Sequence, residues 1–292
     1  MSEIQYQVAK TVKEAVKMMQ AAKGKGYVLA GGTDLLVQMK SGMRAPGVIV
    51  DVKKIPEMTT VVEKKGSFTI GAATPAAVLG ENKKLKKAWP GVIEAANLIG
   101  STQVQGRASM GGNLCNASPA ADSVPALVAA GCFVNVQGPK GKRSIPIEKF
   151  NAGPGKTSLK TGEIVVSLTL PARPKGASDA YRRLIPRTEM DIAVVGVGVS
   201  LTMKGDTVAD ARVGLGAVAP TVLRVAKAEK ALIGSKLDDK ALDAAAAACS
   251  EACKPIDDKR GTREFRIKVA GVMARRAAAI ARDRALGTKG KK

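Results

Sequence analysis

The sequence predicts an α+β protein that is divided into two or three subdomains. Its 292 residues are enough for a sizeable core, and 45% hydrophobic against 25% charged residues is typical of a globular chain. In the last third of the chain, three strand candidates precede three helix candidates, an order that is typical of α+β domains. The first forty residues show a different pattern, in which short strands alternate with helices.

The first segment begins with an extended stretch and a helix. Thr11 and Glu14 form a capping-box pattern, in which a hydroxyl and a carboxylate satisfy the free N–H groups at a helix start. Apolar residues then follow at helical spacing. A short apolar strand next runs directly into a glycine pair. The predicted elements are strands over residues 5–9, 27–30 and 48–52, the helix after Thr11, and a short helix from Leu35 that ends at Gly42.

The second segment, from about residue 60, combines short helices with strands. Thr74 and Pro75 predict a helix that is capped by the threonine hydroxyl and has proline at its first position. The turn sequence GPKG at 138–141 predicts a hairpin. The predicted elements are helices from Pro75, over residues 92–98 and over 124–130, and strands over 68–71, 132–137, 143–147 and 163–170.

The third segment follows a Pro- and Gly-containing linker, PARPKGAS, at residues 171–178. We expect a three-stranded antiparallel sheet from strands over 181–185, 192–203 and 208–218, with a tight turn at 204–206. Helices are predicted over 222–233, 239–252 and 263–286. The last helix is predicted to bury one apolar face and to carry arginines on the other, and that face consists of Phe265, Val269, Val272, Met273 and Ile280.

The composition limits the chemistry of the chain. It contains no histidine, which excludes Ser-His-Asp and Cys-His catalysis and removes the commonest metal ligand. Its four cysteines, Cys115, Cys132, Cys249 and Cys253, form no CxxC pair and match no common zinc or iron–sulfur spacing. We therefore expect isolated reduced thiols and no metal site. If the protein takes part in an enzymatic reaction, a cofactor is expected to be the reactive group.

The charge balance is strongly basic. The net charge of +22 invites an interpretation as a nucleic-acid-binding protein. However, aromatic residues make up only 3%, so platforms on which single strands stack are scarce. A general surface bias or acidic partner subunits explain the charge better. The N-terminus has no apolar signal core and no apolar run is long enough to span a bilayer, so we expect a soluble cytoplasmic protein.

Two glycine pairs are the remaining candidates for a binding site, because the known nucleotide motifs fail. The sequence GVG at 196–198 lies inside a strand candidate, and GPGKT at 153–157 lacks the earlier P-loop glycine and favours a hairpin loop. The pairs lie in LAGGTDLL (29–36) and ASMGGN (108–113). A glycine pair lets the backbone approach a ligand and turns consecutive N–H groups toward an anion such as phosphate. Two ordinary tight turns would give the same pattern.

Taken together, these motifs resemble a known family. LAGGTDLL followed by SMGGNLCNASPAAD (109–122) is similar to the FAD-binding, or medium, subunit of the molybdenum hydroxylases, the xanthine dehydrogenase and carbon monoxide dehydrogenase family. The similarity continues through EIVVSL (163–168), Arg187, DIA (191–193) and DKRGTREFR (258–266). It covers nearly the whole chain in the expected order.

The resemblance implies a two-part FAD-binding domain of the vanillyl-alcohol-oxidase (PCMH) type, followed by a smaller α+β domain. The implied boundaries are 1–57 and 58–176 for the two FAD-binding subdomains, 177–286 for the C-terminal domain and 287–292 for a basic tail. Asp122 would hold a ribose or ribityl hydroxyl, and Arg183 falls near a position that is often lysine in the family. The implied FAD-binding residues are Leu29, Ala30, Gly31, Gly32, Thr33, Asp34, Leu35, Leu36, Ile99, Ser109, Met110, Gly111, Gly112, Asn113, Asp122, Ile164 and Arg183, and no catalytic side chain is implied.

The resemblance also implies a function within a complex. A molybdopterin large subunit would oxidise the substrate, and a small subunit with two [2Fe-2S] clusters would deliver electrons to the FAD of this chain. The electrons would then pass to NAD⁺, a quinone or another acceptor, and the complex would be a dimer of heterotrimers. Two alternatives stay open: a self-contained FAD-dependent oxidase with its own organic substrate, and a basic nucleic-acid-binding protein.

Overall fold

A computed structural model describes residues 4–288, so the part of the predicted basic tail beyond residue 288 lies outside the described residues. The first segment forms a parallel three-stranded sheet in the order β1-β3-β2. Its first helix begins as predicted, because the Thr11 Oγ1 accepts a hydrogen bond from the Glu14 N–H at 3.1 Å. The elements are β1 (Gln5–Val8), α1 (Val12–Ala21), β2 (Gly26–Leu29), α2 (Leu35–Lys40) and β3 (Val48–Asp51).

The second segment is built on a five-stranded antiparallel sheet. The strand order is β4-β5-β10-β6-β7, and a separate two-stranded hairpin, β8-β9, lies between β7 and β10 in the chain. The helices are α3 (Pro56–Thr59), α4 (Ala76–Glu81), α5 (Lys83–Ala88), α6 (Pro90–Ala96), α7 (Thr102–Gln105), α8 (Met110–Cys115) and α9 (Ser123–Ala129). The strands are β4 (Val61–Lys64), β5 (Ser67–Gly71), β6 (Phe133–Gly138), β7 (Gly141–Pro146), β8 (Asn151–Gly153), β9 (Lys156–Thr157) and β10 (Ile164–Leu170), with a 3-10 turn at Ile147–Lys149.

The third segment is an antiparallel sheet covered by helices. The sheet has four strands in the order β11-β12-β13-β14, one more than the sequence predicts. The fourth strand has only two residues, too few for a recognisable alternation of apolar and polar side chains. The elements are β11 (Ala177–Leu184), β12 (Val195–Lys204), β13 (Thr207–Gly216), β14 (Leu223–Arg224), α10 (Ala226–Leu232), α11 (Asp239–Ala252) and α12 (Arg263–Leu286).

Four helix starts differ from the prediction. Helix α6 begins at Pro90 instead of residue 92, and helix α9 begins at Ser123 instead of residue 124. Helix α4 begins at Ala76, one residue late, with Pro75 as its N-cap, and the Thr74 hydroxyl bonds to the Thr60 carbonyl oxygen instead of capping the helix. Helix α10 begins at Ala226 instead of residue 222. The residues predicted for its first turn include β14, which pairs with β13 instead of forming a helix.

The predicted buried face of α12 is also wrong in part. Phe265 and Val272 are 46% and 42% exposed, whereas small residues face the core. The reason is close packing against α11: a Cβ at Gly271 would lie 2.9 Å from the Ala246 carbonyl oxygen. The buried residues of this helix are Arg266, Ala270, Gly271, Met273, Ala274, Ala277, Ala278 and Ala281.

Two apolar cores meet at helix α9. One core spans the first two segments, and the other lies between the third sheet and helices α10 to α12. Glycines of the third sheet let α9 approach its backbone, since a Cβ at Gly198 would lie 2.5 Å from the Pro125 carbonyl oxygen and one at Gly214 would overlap that same atom. The GVG sequence therefore lies in a strand, as predicted, and serves packing.

Candidate functional site

The two glycine pairs meet at a cavity of about 370 Å³ between the parallel sheet and the five-stranded sheet. Most of the residues that the sequence singled out line this cavity. They are Ala30, Gly31, Gly32, Thr33, Asp34, Leu35, Ile99, Ser109, Gly111, Gly112, Asn113 and Ile164. Segments that are about seventy residues apart in sequence therefore share one concave surface, as expected of a ligand site.

The first glycine loop, residues 31–34, offers hydrogen-bond donors to this cavity. It joins the end of β2 to the start of α2, and Gly32 has a φ of +78°, which favours glycine. Within residues 4–288, the backbone N–H groups of Gly32, Thr33 and Asp34 donate no hydrogen bond. Consecutive free N–H groups are suited to an anion such as phosphate.

Gly31 and Gly111 are needed for a different reason, which is contact between protein segments. A Cβ at Gly31 would lie 2.5 Å from the Arg107 carbonyl carbon and 3.0 Å from the Ala108 nitrogen. A Cβ at Gly111 would lie 2.7 Å from the Cα of Ala72. These two glycines thus bring the walls of the cavity together, so the expectation that every glycine serves ligand approach is too simple.

Of the four glycines in the two pairs, Gly112 is the one that faces open space in the cavity. A Cβ there would meet only the Ser109 Oγ, at 3.2 Å. Ser109 caps helix α8 by accepting a hydrogen bond from the Gly112 N–H at 3.1 Å. The Asn113 Oδ1 accepts hydrogen bonds from the Ser123 N–H and hydroxyl, which fixes the start of α9 beside this loop.

Five of the predicted site residues do not line the cavity: Leu29, Leu36, Met110, Asp122 and Arg183. Leu29 and Met110 are buried in the core behind the loops, and Leu36 is 52% exposed on the other side of its short helix. Alternation along a loop or helix turns neighbouring side chains away from the ligand.

Asp122 and Arg183 form a buried ion pair of 3.0 Å. Arg183 also donates a hydrogen bond of 2.7 Å to the Leu98 carbonyl oxygen, next to the cavity residue Ile99. Burial raises the pKa of Asp122 to about 6, against the opposing effect of the Arg183 charge. The pair thus ties the third sheet to the segment that precedes α7.

Several cavity residues are absent from the sequence prediction. The Gln38 Nε2 donates to the Asn116 Oδ1 at 2.8 Å, so α2 and the end of α8 are joined beside the cavity. The GPGKT segment forms the β8-β9 hairpin, and its Gly155 N–H donates to the Ala117 carbonyl oxygen at 2.9 Å. The cavity residues that the sequence did not single out for this site include Tyr27, Gln38, Arg44, Cys115, Asn116, Gly155, Thr157, Leu159 and Glu163.

The late sequence motifs come together in the third segment. The Asp191 carboxylate accepts hydrogen bonds from Arg187 at 3.2 Å and from Arg260 at 3.1 Å. Although desolvation acts in the opposite direction, these bonds and the Ile192 N–H lower the pKa of Asp191 to about 2. The Met190 N–H approaches the Gly100 carbonyl oxygen at 3.4 Å, so this network lies beside Ile99.

The ionisable side chains that the structure describes in the cavity form no paired acid–base set. Of the two carboxylates that line it, Glu163 is held by Arg143 through hydrogen bonds of 2.7 and 2.8 Å, which lower its pKa, whereas burial raises the pKa of Asp34. The Cys115 thiol is also there, but desolvation raises its pKa to about 12, so little thiolate forms at neutral pH. Across residues 4–288, no group of three or more His, Cys, Asp or Glu side chains could hold a metal ion, and no helix could span a bilayer.

Comparisons with known proteins agree with this arrangement. A family described as the FAD binding domain in molybdopterin dehydrogenase matches residues 2–173, and the CO dehydrogenase flavoprotein C-terminal domain matches residues 179–281. The chain is 33% identical to the carbon monoxide dehydrogenase medium chain of Hydrogenophaga pseudoflava over 273 residues, which cover 94% of this chain and 95% of that one. It is 30% identical to the putative xanthine dehydrogenase FAD-binding subunit of Escherichia coli K12, with 93% of each chain covered. A solved structure of carbon monoxide dehydrogenase from Hydrogenophaga pseudoflava superposes with a TM-score of 0.93 over 97% of this chain and 98% of that one, at 33% identity.

Proposed function

Because the chain belongs to the family of FAD-binding medium subunits of the molybdenum hydroxylases, we propose that it passes electrons from the iron–sulfur clusters of a partner subunit, through FAD, to an acceptor. The acceptor is NAD⁺, a quinone or another oxidant. The partners are a small subunit with two [2Fe-2S] clusters and a molybdopterin large subunit, assembled as a dimer of heterotrimers in the cytoplasm. Some of the relatives are named medium chains, which supports a complex of several chains.

One observation carries the proposal: the cavity between the two glycine loops has the donors and the walls that FAD needs. The free N–H groups of Gly32, Thr33 and Asp34 would hold the pyrophosphate. The open space at Gly112 would admit the ligand close to the backbone, and Ile99 and Ile164 would contact its ring systems. Bound FAD supplies the redox chemistry, since a flavin accepts electrons singly or in pairs.

The side chains of this subunit bind and orient the cofactor and leave substrate chemistry to a partner. The cavity contains no histidine and no thiolate, and one of its two carboxylates is neutralised by Arg143. We further propose residues 1–57 and 58–176 as the two FAD-binding subdomains and residues 177–286 as the C-terminal domain. The ion pair of Asp122 and Arg183 would then hold the C-terminal domain against the segment beside Ile99.

Reconstitution of the complex tests the proposal. The chain is produced alone and together with the iron–sulfur and molybdopterin subunits that the proposal requires, and flavin reduction is followed at the flavin absorbance band. We expect the isolated chain to bind FAD and to leave it oxidised with candidate organic substrates. Reduction should require both partners.

A matched control separates binding from electron delivery. Gly112→Val fills the open space in the cavity, so the complex with this variant should contain iron and molybdenum but little FAD. Flavin reduction by an organic substrate in the isolated wild-type chain would instead support a self-contained oxidase. A colourless chain that retains DNA in moderate salt would support nucleic-acid binding.

A further inference from the structure

Among the described residues, the lining of the cavity contains a single cationic side chain. Arg44 is the single lysine or arginine that lines it within residues 4–288. The lining contains two carboxylates, Asp34 and Glu163, and only Glu163 has a cationic partner, the Arg143 guanidinium. Apart from Arg44, the cavity therefore offers N–H dipoles but no positive charge to a dianionic ligand.

Arg44 is held at the cavity by its backbone and by a ring. It lies between α2 and β3, where its N–H donates to the Gln38 carbonyl oxygen at 3.1 Å. Its guanidinium carbon lies 5.8 Å from the centroid of the Tyr27 ring, within the range of a cation–π contact. Its Nη2 points toward the β8-β9 hairpin, where a Cβ at Gly155 would lie 3.9 Å away.

The guanidinium has no counter-ion in the described part of the chain. No carboxylate lies within 4.0 Å of it, and its side-chain N–H groups donate no hydrogen bond to protein atoms in residues 4–288. Arg44 is nevertheless half-buried. A partly desolvated guanidinium with its planar set of donors free is suited to phosphate, which it binds through two parallel hydrogen bonds.

We propose that Arg44 is the counter-ion of the FAD pyrophosphate and that the Tyr27 ring holds its guanidinium plane in position. This inference rests on the proposed location of FAD in the cavity between the glycine loops. It adds to that location a residue that neither glycine motif contains.

Binding measurements on the apoprotein test the role of Arg44. FAD is removed from the purified chain, and the affinities for FAD and ADP are measured by flavin fluorescence, directly for FAD and by competition for ADP. Arg44→Ala should raise both dissociation constants about tenfold at low salt, because a charge-assisted contact to the pyrophosphate is common to the two ligands. The dissociation constants of Arg44→Lys should lie between those of wild type and Arg44→Ala, since lysine keeps the charge but lacks the planar pair of donors.

Lys40→Ala is the matched control. Lys40 is exposed at the end of α2, lies outside the cavity and carries the same charge, so this variant should bind both ligands within about twofold of wild type. The dependence of the FAD dissociation constant on ionic strength should be shallower in Arg44→Ala than in wild type and unchanged in Lys40→Ala.

Several results would overturn the inference. Unchanged affinities in Arg44→Ala would exclude a counter-ion role, and a loss for FAD with none for ADP would place Arg44 at the flavin half. If wild type itself binds neither ligand, the proposed site fails as a whole, which is distinguishable from failure of Arg44 alone. If Arg44→Ala does not fold, Arg44→Gln keeps most of the stem over Tyr27 and gives the same comparison.

Discussion

The two glycines Gly31 and Gly112 line the same cavity, yet the structure predicts opposite consequences for replacing them by alanine. A Cβ at Gly31 would lie 2.5 Å from the Arg107 carbonyl carbon, whereas non-bonded carbon atoms prefer about 3.5 Å or more, so the segments must separate by about 1 Å. The segment cannot yield easily, because the Ala108 N–H and carbonyl are both hydrogen-bonded at 2.8 Å. Overpacking of this kind costs about 1–3 kcal/mol.

At Gly112 the added methyl group would meet only the Ser109 Oγ. Gly112 lies in the first turn of α8 with helical backbone angles, where alanine stabilises a helix by up to about 1 kcal/mol relative to glycine. We therefore expect Gly31→Ala to lower the free energy of unfolding of the apoprotein by about 2 kcal/mol. Gly112→Ala should leave that free energy equal or slightly higher, while it weakens FAD binding by filling the open space.

Urea unfolding followed by circular dichroism gives the stability of each apoprotein, and flavin fluorescence gives its affinity for FAD. Equal urea midpoints for Gly31→Ala and wild type would refute the packing role of Gly31. FAD affinity in Gly112→Ala equal to that of wild type would refute the assignment of its open face to the ligand.

Three further predictions concern buried charges and a thiol. Burial in the folded state raises the pKa of Asp122 from 3.8 to about 6, so the folded chain binds this proton more tightly than the unfolded chain does. The contribution of Asp122 to the free energy of unfolding therefore decreases as the pH rises from about 4 to 7. Asp122→Asn should remove that contribution. The unfolding free energy of the variant minus that of wild type should therefore increase by up to about 3 kcal/mol between pH 4 and pH 7. A difference that stays constant with pH in urea titrations would contradict this prediction. Arg173→Ala should lower the unfolding free energy by about 3 kcal/mol, since it leaves the carboxylate of Asp179, which is 2% exposed, without its 2.7 Å ion pair. Arg173→Ala/Asp179→Asn should recover part of this loss in the same assay, and no recovery would argue against the ion pair as the cause. In the apoprotein, maleimide should modify Cys115 alone of the four thiols, because it is exposed and the other three are buried, and FAD should block the reaction. Mass spectrometry that finds equal labelling with FAD would place the ligand elsewhere.

Local signals in the sequence were reliable where they act through neighbouring residues. The helices Asp239–Ala252 and Arg263–Leu286 have their predicted bounds, because Asp238 and Thr262 accept hydrogen bonds from backbone N–H groups at their first turns. The pair of glycine loops was also predicted together with its family. A local prediction failed where pairing with another strand decided the structure: the two-residue strand Leu223–Arg224, predicted as the start of a helix, exists only because it pairs with Gly214–Leu215.

The assembly of the cavity was beyond local reasoning. Tyr27 in β2, Arg44 between α2 and β3, and Gly155 in the β8-β9 hairpin are far apart in sequence, and nothing in the sequence near any of them indicates a shared surface. Their proximity follows from the packing of the parallel sheet on the antiparallel one. The ion pair of Asp122 and Arg183 has the same origin, since its partners are sixty-one residues apart.

The sequence alone determined the family and, through that resemblance, the cofactor and the two loops, because the two glycine motifs and the later motifs occur in the order typical of the family. Of the four paired glycines, only Gly32 has a backbone angle that favours glycine. The sequence did not determine what each glycine does. Only the tertiary structure shows that Gly31 and Gly111 allow protein backbones to touch while Gly112 faces the cavity, since that depends on which atoms lie beyond each Cα. The same applies to Arg44, whose role depends on the absence of a carboxylate near its guanidinium within residues 4–288.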